Sequence, residues 1–124
     1  DLFPIRNLTT IEKLNCSNTK VDNLSPLKYS KSLKELYINN TPVSSITVIE
    51  KFENLEILHM EQTVIDSLPA TRGLTLLKNL NCSSTNLQHL DSIKYLKRRK
   101  KLIELGEIET FYRKHHELKN KQKH

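Results

Sequence analysis

The chain has 124 residues, of which 36% are hydrophobic, and these values are typical of one small globular domain. Its two glycines argue against a glycine-rich phosphate loop, and no apolar run reaches the roughly 18 residues of a membrane-spanning helix. The formal net charge of +6 is concentrated at one end, because residues 94–124 hold 11 Lys and Arg against 4 Asp and Glu.

The first ten residues have the spacing of the second half of a repeated unit. Leu2 and Ile5 recur 22 residues later as Leu24 and Leu27. We therefore expect the chain to begin inside a repeat, with residues 1–10 as a partial unit.

Four complete units follow without a gap, over residues 11–32, 33–54, 55–76 and 77–98. They begin IEKLNCSNTKVDNL, LKELYINNTPVSSI, LEILHMEQTVIDSL and LKNLNCSSTNLQHL. The fourth residue is always Leu, the ninth is always Thr, and the eleventh is Val, Ile or Leu. A fixed period of this length is typical of solenoid proteins, in which each unit packs only against its neighbours.

Residues 2–98 resemble the leucine-rich-repeat family, specifically its 22-residue type found in bacterial internalin-like proteins and eukaryotic phosphatase-regulator repeats. The resemblance implies an α/β solenoid, a right-handed leucine-rich-repeat superhelix with a short parallel concave sheet. Irregular or helical return segments would form its convex side. The family usually has Asn at the ninth position, whereas this chain has Thr19, Thr41, Thr63 and Thr85. We expect these hydroxyls to satisfy buried turn backbone as the Asn amide does.

The cysteines occupy the sixth position of the first and fourth complete units. Cys16 and Cys82 should therefore both face the core, separated by three strand steps, or about 14 Å. That distance is too long for a disulfide, so both thiols should be free. Unpaired core thiols favour an intracellular, cytoplasmic location, and an extracellular one stays open.

Alternation along the strands predicts which side chains face a partner. Leu14, Leu36, Leu58 and Leu80 should point into the core, and the third, fifth and seventh positions should point outward. The two middle units carry the outward residues most typical of an interface. The predicted partner-binding residues of the concave face are Glu35, Tyr37, Asn39, Ile57, His59 and Glu61.

An alternative interpretation is that strand propensity and cross-strand pairing alone retain Tyr37, Ile57 and His59. His59 has only Glu61 among the neighbouring outward positions, without a second His or Cys, so no metal site is predicted. No nucleophile accompanies it either. The residues therefore indicate neither an enzyme nor a cofactor.

After Ile93 the repeat decays into a basic segment. Residues 99–124 are predicted to form a helical cap, with one apolar face made by Leu105, Ile108, Phe111, Tyr112, His115 and Leu118. Such a helix would cover the open core of the last repeat. In an alternative phase, Leu102, Leu105 and Thr110 would form a degenerate fifth strand before the helix.

A second possible binding segment is the basic run Lys97, Arg98, Arg99, Lys100 and Lys101. Clustered cations can bind nucleic acid or an anionic membrane surface. Most charge runs of this length, however, are simply solvated surface.

The sequence thus leaves three functional hypotheses. The first is a non-catalytic protein–protein interaction module that binds a protein or peptide on the concave face. The second is binding of nucleic acid or anionic membrane by the basic segment, with the repeats as scaffold. The third is a recognition segment of a larger signalling or surface protein.

Overall fold

The computed structural model describes residues 1–68 and 73–87. Its strands are β1 (Lys13–Asn15), β2 (Glu35–Tyr37), β3 (Ile57–His59) and β4 (Asn79–Asn81). They form one parallel sheet in the order β1-β2-β3-β4, which is also their order along the chain. Successive strands are therefore neighbours, as expected when each repeat stacks on the preceding one.

The register of the sheet follows the 22-residue period. Leu14 pairs with Leu36, Leu36 with Leu58, and Leu58 with Leu80. The predicted row of leucines is confirmed, and it is buried except at Leu14, which is half-buried in the first strand.

Short 3-10 helices make the return segments. They span Phe3–Ile5, Ser25–Leu27 and Thr47–Lys51. Pro4 and Pro26 stand at the start of the first two, where a fixed φ favours the turn and a missing N–H costs nothing. The second and third helices direct their last apolar residues, Leu27 and Ile49, into the core, where both are fully buried. The corresponding residue of the first helix, Ile5, is half-buried. The return segments therefore supply the second wall of the core.

The core lies between the sheet and these return segments. Its largest fully buried side chain is Phe52, and every repeat contributes aliphatic residues to the same core cluster. Cys16 and Cys82 are both buried in this core, and neither forms a disulfide. The Cys16 thiol donates a weak hydrogen bond to the Tyr37 carbonyl (3.7 Å), and burial raises the pKa of that thiol.

Each strand ends in a tight turn held by the repeated threonine. The hydroxyls of Thr19, Thr41, Thr63 and Thr85 donate to the carbonyl three residues earlier, at 2.6, 2.7, 3.0 and 2.9 Å. At Thr19 the hydroxyl also accepts the N–H of Val21 (3.3 Å). The threonines satisfy turn backbone as predicted, but they do so within their own repeat.

Two predictions for the C-terminal segment lie outside the described residues: the helical cap over residues 99–124, and its alternative, a fifth strand. The basic run 97–101 lies there as well. Within residues 1–68 and 73–87, no helix has the length and apolar character required to cross a membrane.

Candidate functional site

The middle strands present their flanking residues on the outer face of the sheet. In β2 and β3 the central leucine is buried, and the residues on either side of it are half-buried. Glu35, Tyr37, Ile57 and His59 therefore share one face, which we call the sheet face. We use the name sheet patch for the six predicted residues Glu35, Tyr37, Asn39, Ile57, His59 and Glu61.

Tyr37 and His59 form the centre of the sheet patch. Their strands are paired in register at these two residues, and their rings meet edge to face with centroids 5.1 Å apart. The Tyr37 hydroxyl donates to Oε1 of Glu35 at 2.5 Å. That hydrogen bond, followed by desolvation and the negative charge of Glu35, raises the pKa of Tyr37. The phenol therefore stays protonated and fixed in orientation at neutral pH.

Two residues outside the predicted set extend this arrangement across the sheet. His59 Nε2 lies 3.1 Å from Oδ1 of Asn79 on β4. Lys13 on β1 places its Nζ 5.6 Å from the centroid of the Tyr37 ring. Both residues belong to the third-position column, which the sequence identifies as outward facing, but their side-chain partners depend on the strand register.

Asn39 has a structural role that the sequence did not indicate. Its Oδ1 accepts the backbone N–H of Glu61 at 2.8 Å, and its own N–H donates to Oγ of Ser17 at 3.0 Å. The seventh positions of successive repeats are thus linked by side-chain to backbone hydrogen bonds. Part of the Asn39 side chain is therefore committed to stacking the repeats.

The remaining sheet-patch residues are available for contact. Ile57 is half-buried on the same face as the Tyr37 and His59 rings, and Glu61 is half-buried at the turn. Among the described residues, neither Glu35 nor Glu61 forms a salt bridge; the ion pairs there are Lys34 with Glu12 and Lys78 with Glu56. The sheet face of the middle repeats is consequently an aromatic and aliphatic centre flanked by two carboxylates.

Metal ligands are not grouped on the described surface. Across residues 1–68 and 73–87, no group of three His, Cys, Asp or Glu side chains is close enough to hold a metal ion.

Comparison with known proteins agrees with this architecture. A family model described as leucine-rich repeats, in two copies, matches residues 9–51. An internalin C2 from Listeria monocytogenes superposes with a TM-score of 0.71 at 28% identity, covering 82% of this chain and 44% of its own. This chain therefore resembles leucine-rich-repeat proteins in both its repeat pattern and its fold. A second internalin from the same organism superposes with a TM-score of 0.75 at 24% identity, covering 82% of this chain and 30% of its own.

The chain spans less than half the length of these two internalins. None of the curated proteins matches it. Leucine-rich repeats form extended binding surfaces for other proteins. The general function indicated for this chain is therefore protein interaction.

Proposed function

We propose that the protein binds a protein or peptide partner on its sheet face, through the sheet patch, and that it acts by binding without catalysis. The observation that carries the proposal is the packing of Tyr37 against His59 between Glu35 and Glu61, neither of which forms a salt bridge with a described residue. In the first and fourth repeats the corresponding positions hold Asn15 and Asn81.

Preorganisation supports this assignment. The Tyr37 ring is held by its hydrogen bond to Glu35 and by the edge-to-face contact with His59, and His59 is held in turn by Asn79. Side chains fixed before binding lose little conformational entropy when a partner docks. Aromatic residues in such positions often contribute most of the binding free energy at protein interfaces.

Cross-strand pairing alone is the competing explanation for these residues, since Tyr37 and His59 do stabilise each other. It does not account for Glu61, a half-buried carboxylate that forms no salt bridge with any described residue. The charged rim around an apolar centre is the usual composition of an interface.

The experiment that tests the proposal compares partner capture by the wild type and by a Tyr37→Ala/His59→Ala variant, using lysate of the native host. We expect capture to be lost and the unfolding midpoint to change little, because both side chains lie outside the core. Val64→Ala is the matched control, since Val64 is an exposed apolar residue away from the sheet patch. Equal capture by the wild type and the double variant would contradict the proposal.

The same capture distinguishes the basic run 97–101 from the sheet face. Neutralising Lys97, Arg98, Arg99, Lys100 and Lys101 to Gln should leave partner capture intact. If the partner were nucleic acid, that variant would lose binding, and binding by the wild type would fall steeply with salt.

The proposal includes a reducing, intracellular compartment and a C-terminal cap. Cys16 and Cys82 support the compartment, because both are buried outside any disulfide and an oxidising environment favours disulfide formation. Alkylation of intact host cells before lysis should recover both thiols in reduced form.

For residues 99–124 we propose the capping role. Deletion of that segment tests this role, and the unfolding midpoint should then fall.

A further inference from the structure

A groove of about 380 Å³ lies on the return side of the molecule, away from the sheet patch. It is formed by the first two 3-10 helices, Phe3–Ile5 and Ser25–Leu27, and by the residues that follow them. We call it the return groove and define it by Phe3, Arg6, Lys28 and Tyr29. Asn7, Ser25 and Pro26 complete its lining.

Two aromatic rings stand exposed at this groove, Phe3 at 58% and Tyr29 at 60% of their surface. The core does not require an aromatic residue at either position. Ser25 occupies the Phe3 position of the next repeat, and Asn7 and Lys51 occupy the Tyr29 position of the adjoining repeats; all three are exposed. These positions therefore face solvent even in repeats with a neighbour on each side, and the rings have no structural role there.

Each ring forms a cation–π contact with a basic side chain. The guanidinium carbon of Arg6 lies 3.7 Å from the Phe3 ring centroid, and Nζ of Lys28 lies 5.1 Å from the Tyr29 centroid. Arg6 donates to the Phe3 carbonyl through Nη1 at 3.0 Å, which leaves most of its five N–H donors free. Within the described part of the chain, neither cation forms a salt bridge.

The return groove is locally positive. No Asp or Glu is among its lining residues in the described ranges. The column that supplies Arg6 and Lys28 changes sign in the next repeat, at Glu50. Asp1 lines a second groove with Phe3, and its carboxylate accepts the Phe3 N–H at 2.7 Å. Asp22 and Glu50 line a third groove, which Lys28 also borders. An anion in the return groove would thus meet two unpaired cations.

We propose that the return groove binds an acidic peptide segment, with a carboxylate paired to Arg6 and Lys28 and an adjacent apolar side chain packed between Phe3 and Tyr29. The planar guanidinium matches a carboxylate through two parallel N–H donors, and stacking on Phe3 fixes its orientation. Aromatic residues and arginine are also the types that contribute most at peptide and protein interfaces.

Nucleic acid fits the return groove less well. Binding of single strands relies on bases stacked on open ring faces, and here the cations already lie over both rings. Two cations also fall short of the continuous track that follows a phosphate backbone.

The test uses the full chain and a fluorescein-labelled 12-residue peptide in which Asp alternates with Leu. Arg6→Gln/Lys28→Gln should weaken binding about tenfold, the effect expected for two exposed charge pairs. Phe3→Ser/Tyr29→Asn, which installs residues used at these positions in other repeats, should weaken it by a similar factor.

Matched controls separate the groove from net charge and from the sheet patch. Lys31→Gln/Lys51→Gln removes the same charge outside the groove and should change affinity less than twofold, as should Tyr37→Ala/His59→Ala. The proposal is overturned if the control cations matter as much as Arg6 and Lys28, or if the peptide with Asn in place of Asp binds equally well. It is also overturned if a 12-nucleotide oligothymidylate binds more tightly than the peptide with the same dependence on Arg6 and Lys28.

Discussion

One residue in each turn after a strand has left-handed backbone. Asn18, Asn40, Gln62 and Ser84 have φ of 61°, 53°, 57° and 56°, and they occupy the eighth position of successive repeats. Asn tolerates this conformation better than other residues with a side chain. The first two repeats therefore hold the favourable residue, whereas Gln62 and Ser84 adopt the same backbone at a cost in free energy.

Relief of this strain predicts a stabilising substitution. Gln62→Gly should raise the free energy of unfolding by about 0.5 kcal/mol, the cost of the left-handed backbone less the greater flexibility of Gly when unfolded. Urea denaturation measures the change. Gln62→Ala is the control, since it removes the side chain without freeing the backbone and should give no gain. Equal stabilisation by both substitutions would show that the side chain, and not the φ angle, is responsible.

The hydrogen bond from Tyr37 to Glu35 predicts a pH effect. Glu35→Gln should lower the pKa of Tyr37 towards the usual value of about 10. The substitution replaces the carboxylate hydrogen-bond acceptor with a neutral amide and removes the negative charge beside the phenol. Ultraviolet titration of each protein against its Tyr37→Phe counterpart isolates this residue.

The sign of the associated stability follows from linkage. Since the folded protein holds the Tyr37 proton more tightly than the unfolded chain, this contribution is complete below the unfolded pKa and is lost as pH rises through the folded pKa. Stability of the wild type should therefore fall more than that of Glu35→Gln across this alkaline range. An unchanged Tyr37 titration in Glu35→Gln would contradict the assigned cause.

At the scale of the strands, the residues that precede them alternate in charge. Glu12, Lys34, Glu56 and Lys78 occupy the second position of successive repeats. Nζ of Lys34 lies 2.8 Å from Glu12, and Nζ of Lys78 lies 2.8 Å from Glu56. The hydrogen bond to Glu12 raises the pKa of Lys34, and the hydrogen bond to Lys78 lowers the pKa of Glu56. A shift of one repeat in the stacking would place like charges together, so the column favours the observed register.

Reversing one charge in this column should destabilise the fold through repulsion. Lys34→Glu would place three acidic residues in succession, and we expect a lower urea midpoint than for Lys34→Ala. The difference between the two variants should shrink in 1 M salt, about 3 Å Debye length, because the groups are exposed and screened. Lys31→Glu provides the control for net charge outside the column. A salt-independent difference would point to packing instead.

At the scale of the molecule, stability comes from stacking one apolar row upon the next. Leu36 and Leu58 have a paired strand on each side and are almost completely buried, whereas Leu14 in the first described strand is half-buried. The hydrophobic contribution is proportional to the apolar area removed from water. Interior repeats should therefore contribute more to folding than the first one.

Truncation of these leucines measures the gradient. Leu58→Ala should lower the free energy of unfolding by about 3 kcal/mol, through lost burial and a residual cavity. Leu14→Ala should cost about half as much, since its side chain is already partly in water. Urea denaturation of the two variants gives both values. Equal losses would indicate that the first strand is buried in solution.

The repeat pattern determined the main architecture of this protein by itself. The 22-residue period places a Leu at the fourth position of each repeat. This Leu must be the buried residue of its strand, because side chains alternate between the two faces of the sheet. The parallel order and the Leu14 to Leu80 register follow from stacking identical units. The outward columns, and hence the composition of the sheet patch, follow from the same alternation.

Tertiary structure alone decided how those outward side chains are used. Asn39 bonds to the backbone of the next repeat, and Lys13 and Asn79 join the Tyr37 and His59 centre, because contacts between repeats depend on distances that a periodic pattern does not contain. The return groove has the same origin. Its residues are separated along the chain by a whole repeat, and only stacking brings the two aromatic and cationic pairs to one surface.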